Sequence, residues 1–256
     1  MTSGRPLIMV TNDDGVSAPG LHHLIDSVRS IGHVIAVAPD GARSGQASAI
    51  TIDTPLRITR HRGYDMAEVY SVSGTPTDCV KLGLHAIMPR RPDIILSGVN
   101  HGSNSGNSVV YSGTMGAVIE GCMAGIPAIG FSLLHHSIAA DFSQTTPFIR
   151  QITTAVLEKG LPGNVCLNVN IPAKCTPKGI KITVAAEGHW TEEYREYTDP
   201  AGNPFYMLTG HFINSEPDNA ATDLYWLERE YVSVTPVNPD MTDKAAMPVI
   251  ESLLKE

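Results

Sequence analysis

The chain has 256 residues, 42% hydrophobic and 17% charged, with a net charge of −8. That is enough apolar material for one large core, and it excludes a disordered chain or a long solvated helix. Residues 1–186 carry 14 basic and 12 acidic side chains, residues 187–256 carry 4 and 14. Neither part presents the basic stripe that a long nucleic acid requires, and the cluster Arg57, Arg60 and Arg62 reads as a solvated strand face.

The continuous apolar run 6–11 predicts a strand buried on both faces that opens at Asn12-Asp13-Asp14-Gly15 into a loop. Residues 19–31 then space Leu21, Leu24, Ile25, Val28 and Ile31 three and four apart, an amphipathic helix stopped by Gly32. Residues 33–38 form a second apolar strand, so the order strand, helix, strand implies a right-handed crossover in a parallel sheet. Alternation over 49–62 predicts one strand or a bent pair, and 67–72 repeats it, an antiparallel excursion. Thr75-Pro76-Thr77-Asp78 combines a cap, a first-turn proline and an acid, predicting a helix to about residue 88.

Residues 93–97 are the next strand, followed by sixteen residues rich in Gly, Asn and Ser (98–113) and a small-residue helix over 114–124. A loop of that length inside a compact domain usually has a function. Strands at 128–132 and 165–169 flank a helix at 146–158, and the alternation of strand and helix gives an α/β fold. After Gly188 the pattern becomes a long polar hairpin around Asp199-Pro200-Ala201-Gly202, then a short helix (222–229), a strand (231–236) and a terminal helix (245–255). This divides the chain into a catalytic body (1–186) and an acidic tail (187–256), within one continuous structural domain, the tail reading as too polar to complete the core. The tail holds nine of the fifteen aromatic residues, so its projecting elements are expected to need a partner.

Residues 121–140 carry no charge, but Pro127 and three glycines break the run, so no membrane span is expected. Cys79, Cys122, Cys166 and Cys175 form no C-x-x-C pair, and the first residues show no apolar leader. Free thiols and a cytoplasmic location are the expectation.

In an open parallel sheet, ligands bind beyond the carboxyl ends of the strands. Three loops there carry chemistry: Asp13 and Asp14, then Ser44, then Asn100, His101, Asn104, Asn107 and Ser112. Two carboxylates with neutral oxygen donors suit Mg²⁺, Mn²⁺ or Ca²⁺ rather than a structural zinc. Taken singly, each has an ordinary role: an Asp capping a helix, a turn serine, a loop amide. Together they point to a metal, because two adjacent anions repel unless a cation or proton lies between them. The glycine-rich loop leading into the helix at Thr114 offers backbone N–H groups to an anion, with Asn104, Ser112, Gly113 and Thr114 as the cradle. It has neither the Walker nor the dinucleotide spacing. Asn12 cannot serve as a phosphoaspartate nucleophile. His101 is read as a structural imidazole, Tyr111 and Trp190 as packing aromatics.

Thr11-Asn12-Asp13-Asp14-Gly15-Val16, Ala38-Pro39-Asp40 through Ser44-Gly45, Gly74-Thr75-Pro76-Thr77-Asp78, Ser97-Gly98-Val99-Asn100-His101-Gly102 and Tyr111-Ser112-Gly113-Thr114 closely resemble the SurE family of survival-protein nucleotidases. Further matches reach Thr191-Glu192-Glu193-Tyr194, Thr222-Asp223 and Tyr231 to Pro236. The resemblance implies a Rossmann-like, mostly parallel sheet with helices on both faces, a projecting hairpin, and a C-terminal strand and helix exchanged between subunits of a homodimer or tetramer. It implies a divalent-metal-dependent hydrolase of nucleoside 5′- and 3′-monophosphates, with exopolyphosphatase activity in some members. One Mg²⁺ or Mn²⁺ per subunit would rest on Asp13, Asp14, Ser44 and Asn100, with Asp13, Asp14 and Ser112 as the catalytic residues. Members carry charged residues where this chain has Ser103, Asn107 and Ser108, and a glycine where it has Glu230. A non-hydrolytic nucleotide or polyphosphate sensor, and a sugar-nucleotide transferase, are the competing readings of the same residues.

Overall fold

Strand alternation sorts the central strand β1 (Leu7–Thr11) onto two faces: Ile8 and Val10 join one apolar cluster, Leu7 and Met9 the other. The computed structural model describes residues 4–62, 64, 67–135, 137 and 139–255, so Met1–Ser3 at the start of the proposed body and Glu256 at the end of the tail lie outside the described residues. After β1 come α1 (Pro19–Val28), β2 (His33–Pro39), β3 (Ile58–His61), β4 (Glu68–Val72), α2 (Pro76–Leu82), β5 (Ile94–His101), α3 (Gly113–Met123), β6 (Ala128–Leu133), α4 (Thr146–Lys159) and β7 (Cys166–Ile171). The tail adds β8 (Ile180–Ile182), β9 (Gly188–Thr191), β10 (Tyr194–Thr198), β11 (Pro204–Leu208), β12 (His211–Asn214), α5 (Asp223–Leu227), β13 (Val232–Val237) and α6 (Met247–Leu253).

A nine-stranded sheet runs β3-β4-β2-β1-β5-β6-β7-β13-β8. Its pairings are parallel except β3 with β4 and β13 with β7. Leu21, Leu24 and Val28 of α1 and Ile149, Ile152 and Val156 of α4 cover one face, and Val80 of α2 with Met115, Ala117 and Val118 of α3 cover the other. The α/β expectation with helices on both faces is met. No helix among the described residues is long and apolar enough to cross a membrane.

Three elements depart from the sequence reading. Residues 49–57 form no strand, because Asp78 accepts from the Thr51 backbone N–H and hydroxyl (2.6 Å) while Thr75 donates to the Ala49 carbonyl (2.6 Å), so side chains take the groups a ladder would use. Strand β5 continues four residues past Ser97, through a register shift against β6. The tail does contribute to the core: β13 inserts between β7 and β8 of its own chain and buries Val232 and Val234. Its alternating apolar side chains fill a sheet position that the polarity of the surrounding tail conceals. Glu230 takes φ +69°, the left-handed region that glycine favours, and its carboxylate pairs with Lys178 at 2.7 Å.

Gly20 sits where α1 crosses the end of β5, and a Cβ there would run into the Val99 carbonyl oxygen. Helix propensity alone would make Gly20→Ala favourable by about 1 kcal/mol. The contact reverses the sign, and a loss of about 1–3 kcal/mol is expected. Urea midpoints should show it, with Gly163→Ala, which has open space around it, staying within about 0.5 kcal/mol of the parent.

Candidate active site

From β1 the chain moves outward to β2 and β4, then returns to β5 on the other side of β1 and continues to β6 and β7. The loops after β1 and β5 therefore diverge, leaving a crevice at their carboxyl ends. Asp13 and Asp14 follow β1, while the extra residue in β5 between Ser97 and Asn100 turns the strand's end toward the same crevice. Gly98 makes that turn at φ +130°, where a Cβ would collide with the Phe131 carbonyl.

The first turn of α3 closes the crevice from behind. A Cβ on Gly113 would lie 2.8 Å from the Cβ of Asp13, so only glycine lets the helix end approach the carboxylate this closely. Thr114 Oγ1 donates to Asp13 Oδ1 at 2.6 Å, and Ser112 Oγ caps the helix by accepting from Met115 N at 3.0 Å. Asp13 is buried, which raises its pKa to about 6; the Thr114 bond opposes the rise and the neighbouring Asp14 charge adds to it. Burial also raises Asp14, with His101 countering, and Asp14 Oδ2 accepts from His101 N at 3.5 Å. Asn12 ties the turn itself, its amide meeting Gly15 O at 3.1 Å and Gly15 N at 3.2 Å.

The resulting cleft of about 570 Å³ is lined by Asp13, Ser44, Asn100, Asn104 and Ser112 together with residues of the hairpin, while Asp14 stands outside that lining. Gly113 and Thr114 stand behind Asp13, and the Thr114 hydroxyl, expected in the anion cradle, is committed to that carboxylate. Asn100 Nδ2 donates to Gly102 O at 3.0 Å, which leaves its Oδ1 for a ligand. His101 lines the cleft, yet it also packs edge-on against Phe142 at 4.9 Å and its Nδ1 lies 3.0 Å from Ser137 O. The donors are carboxylate, hydroxyl and amide oxygens, and among the described residues no three His, Cys, Asp or Glu side chains gather. That donor set fits a hard divalent cation. The thiols play no part: burial raises the pKa of Cys79, and raises Cys166 to about 12.

Sequence reasoning missed what holds the loop after β5. The Asn104 backbone N–H donates to Asn170 Oδ1 (2.8 Å), its carbonyl accepts from Asn168 Nδ2 (2.7 Å), and its own amide donates to Ser132 Oγ (2.8 Å). The signal was present, since Asn168 and Asn170 are alternate polar residues in an otherwise apolar strand. Asp223, fully buried, accepts from Gly106 N (2.8 Å) and Ala186 N (3.0 Å), joining the same loop to the base of the hairpin.

Residues 8–192 match the family described as survival protein SurE. The chain is 48% identical over 242 residues to the 5′-nucleotidase SurE of Phocaeicola vulgatus, covering 94% of each chain. It is 49% identical over 247 residues to that of Christiangramia forsetii, again with 94% coverage of both. The crystal structure of the SurE protein from Aquifex aeolicus superposes with a TM-score of 0.84 at 36% identity, covering 98% of this chain and 100% of that one.

Because Asp13 titrates near 6 in the folded chain instead of at its ordinary 3.8, the folded state holds a proton that the unfolded state has already lost between those values. Stability of the metal-free protein is therefore highest below about pH 4 for this group and falls as pH rises through 6, by on the order of 2–3 kcal/mol. Asp13→Asn should flatten that slope. Urea unfolding in chelator across this range is the measurement, and a parent and variant with equal slopes would refute the assignment.

Proposed function

The chain belongs to the SurE family, and from that premise we propose that it hydrolyses nucleoside 5′-monophosphates to nucleoside and phosphate, as its 5′-nucleotidase relatives are named for doing. Nucleoside 3′-monophosphates and short polyphosphate are proposed as further substrates. The observation that carries the reading is Asp13, a carboxylate buried beside Asp14 and pressed against the first turn of α3. Two anions in that position call for a cation, and a helix N-terminus beside them calls for an anion. A metal phosphate satisfies both.

Asp13, Asp14, Ser44 and Asn100 would hold one Mg²⁺ or Mn²⁺ per subunit, which when bound supplies electrophilic polarisation of a phosphoryl oxygen. Thr114 fixes the orientation of Asp13 through its hydroxyl. Ser112, whose oxygen already accepts from Met115 N, keeps its O–H to donate to an equatorial phosphoryl oxygen, with Gly113 N–H and Asn104 beside it. The anchoring of Asn104 to β6 and β7 holds these donors in place, so little reorganisation accompanies charge development on the phosphoryl group.

We further propose a cytoplasmic homodimer or tetramer. Met247, Val249, Ile250, Leu253 and Leu254 are exposed, and α6 buries none of its residues on its own chain. Since β13 fills a place in its own sheet, α6 is the element best suited to exchange with a second copy. Removing residues 240–256 spares β13 and should turn a dimer into a monomer by sedimentation. A dimer surviving that deletion would place the interface elsewhere.

The principal test is phosphate release from nucleoside monophosphates with Mg²⁺ or Mn²⁺, abolished by chelator and by Asp13→Asn or Asp14→Asn while the fold persists. Ser44→Ala should raise the metal concentration required, whereas Ser112→Ala should cut turnover at saturating metal by about 10²–10³. Reversed phenotypes would overturn the division between metal ligands and phosphate donors, and metal-dependent binding without phosphate release would make the protein a sensor.

A further inference from the structure

One side of the cleft is built by an elbow in the hairpin. The hairpin is two separate ladders, β9 with β12 and β10 with β11, and the chain bends between them at Glu192-Glu193 on one side and Thr209-Gly210 on the other. The bend is fastened. Glu192 takes φ +52°, Thr209 N donates to Glu193 O at 2.7 Å, Thr209 Oγ1 donates to Glu192 O at 2.8 Å, and a Cβ on Gly210 would lie 2.7 Å from Thr191 O. This holds Trp190, Glu193, Tyr194 and Thr209 against the cleft.

Glu193 is the unexplained group among them. Its side chain is exposed, and its carboxylate makes no hydrogen bond or ion pair with any described residue, although it lines the same cleft as the Asp13 carboxylate. At this end a carboxylate repels a second phosphate, so it suits a neutral group that presents N–H donors. Trp190 and Tyr194 supply aromatic faces on either side of it in sequence, the surroundings that a stacked heterocycle requires.

We infer that Glu193 is a specificity residue that selects guanine, its two carboxylate oxygens accepting from the adjacent N1–H and N2–H groups of the base. Guanine alone among the common bases places two donors side by side on that edge. Adenine presents an acceptor at N1, which faces the carboxylate repulsively, and hypoxanthine retains the N1–H but lacks the amino group. The inference rests on the nucleotidase reading for its substrate, but the contact to the base is separate from phosphate chemistry.

The test compares kcat/KM for guanosine, inosine and adenosine 5′-monophosphates in the full chain. The order guanosine, inosine, adenosine is expected, with guanosine over adenosine by about 10-fold or more, the range of a charge-assisted hydrogen bond. Glu193→Gln should bring the guanosine to adenosine ratio to within about threefold of unity. Equal rates in the parent, or a preference that survives Glu193→Gln, would overturn the inference. Ribose 5-phosphate, which has no base, gauges the phosphatase reading in the parent by itself. Binding of free guanosine against adenosine, followed by tryptophan fluorescence, reads the base contact whether or not phosphate is released, and no discrimination there would also overturn it. Guanosine selection without phosphate release from any substrate would instead leave the inference standing and refute the nucleotidase reading.

Discussion

The contact between Asp13 and the first turn of α3 is the constraint on which the rest of the structure depends. Burying a carboxylate beside another is unfavourable, and the raised pKa of Asp13 measures how far the environment resists its charge. Thr114 and the helix end recover part of that cost, and a bound cation would recover the remainder. The glycine at 113 is a condition of the arrangement, since any side chain there would push α3 away from β1. On the proposed function, metal and phosphate would thus share one small volume, because the same helix end that steadies Asp13 also brings Ser112 to the cleft.

Topology determines where this happens. In the order β2-β1-β5-β6 the only adjacent pair whose following loops run in opposite directions is β1 and β5, so the crevice lies above them and nowhere else in the parallel part of the sheet. The loop after β5 would nevertheless be free to move if nothing beneath it accepted its polar groups. Asn168 and Asn170 on β7, Ser132 on β6 and the buried Asp223 do so, each presenting side-chain groups to the loop or to one another. Fully satisfied buried networks of this kind rigidify a site at a smaller cost than an unpaired polar group would impose.

Local patterns revealed what local physics controls. The apolar runs located β1, β2, β5, β6 and β7 to within a few residues, and the capping box at Thr75 and Asp78 placed α2. The Asp13, Ser44, Asn100, Asn104 and Ser112 group was legible because its members sit beyond strand ends, where the sheet brings loops together. Partners distant in sequence were not legible. Nothing near residue 223 indicates that its carboxylate fastens Gly106, 117 residues away, and nothing near Thr51 indicates that Asp78 will take its N–H and dissolve the expected strand. The core role of β13 was hidden for a related reason: its apolar alternation is short, and the exposed hairpin before it dominates the composition of the tail.

The two walls of the cleft therefore differ in kind. One is the end of a parallel sheet, with Asp13 and its neighbours positioned by buried strands that cannot shift without disturbing both core clusters. The other is an exposed hairpin, with strands β10 and β11 outside the core and its bend secured by a few local hydrogen bonds. Chemistry that requires placement to a fraction of an ångström belongs on the first wall. Recognition that tolerates substitution without harming the fold belongs on the second, because Trp190, Glu193 and Tyr194 are exposed. On the proposed function, this division of the chain would set a fixed reaction centre beside an adjustable reader, and it follows from which residues the sheet buries.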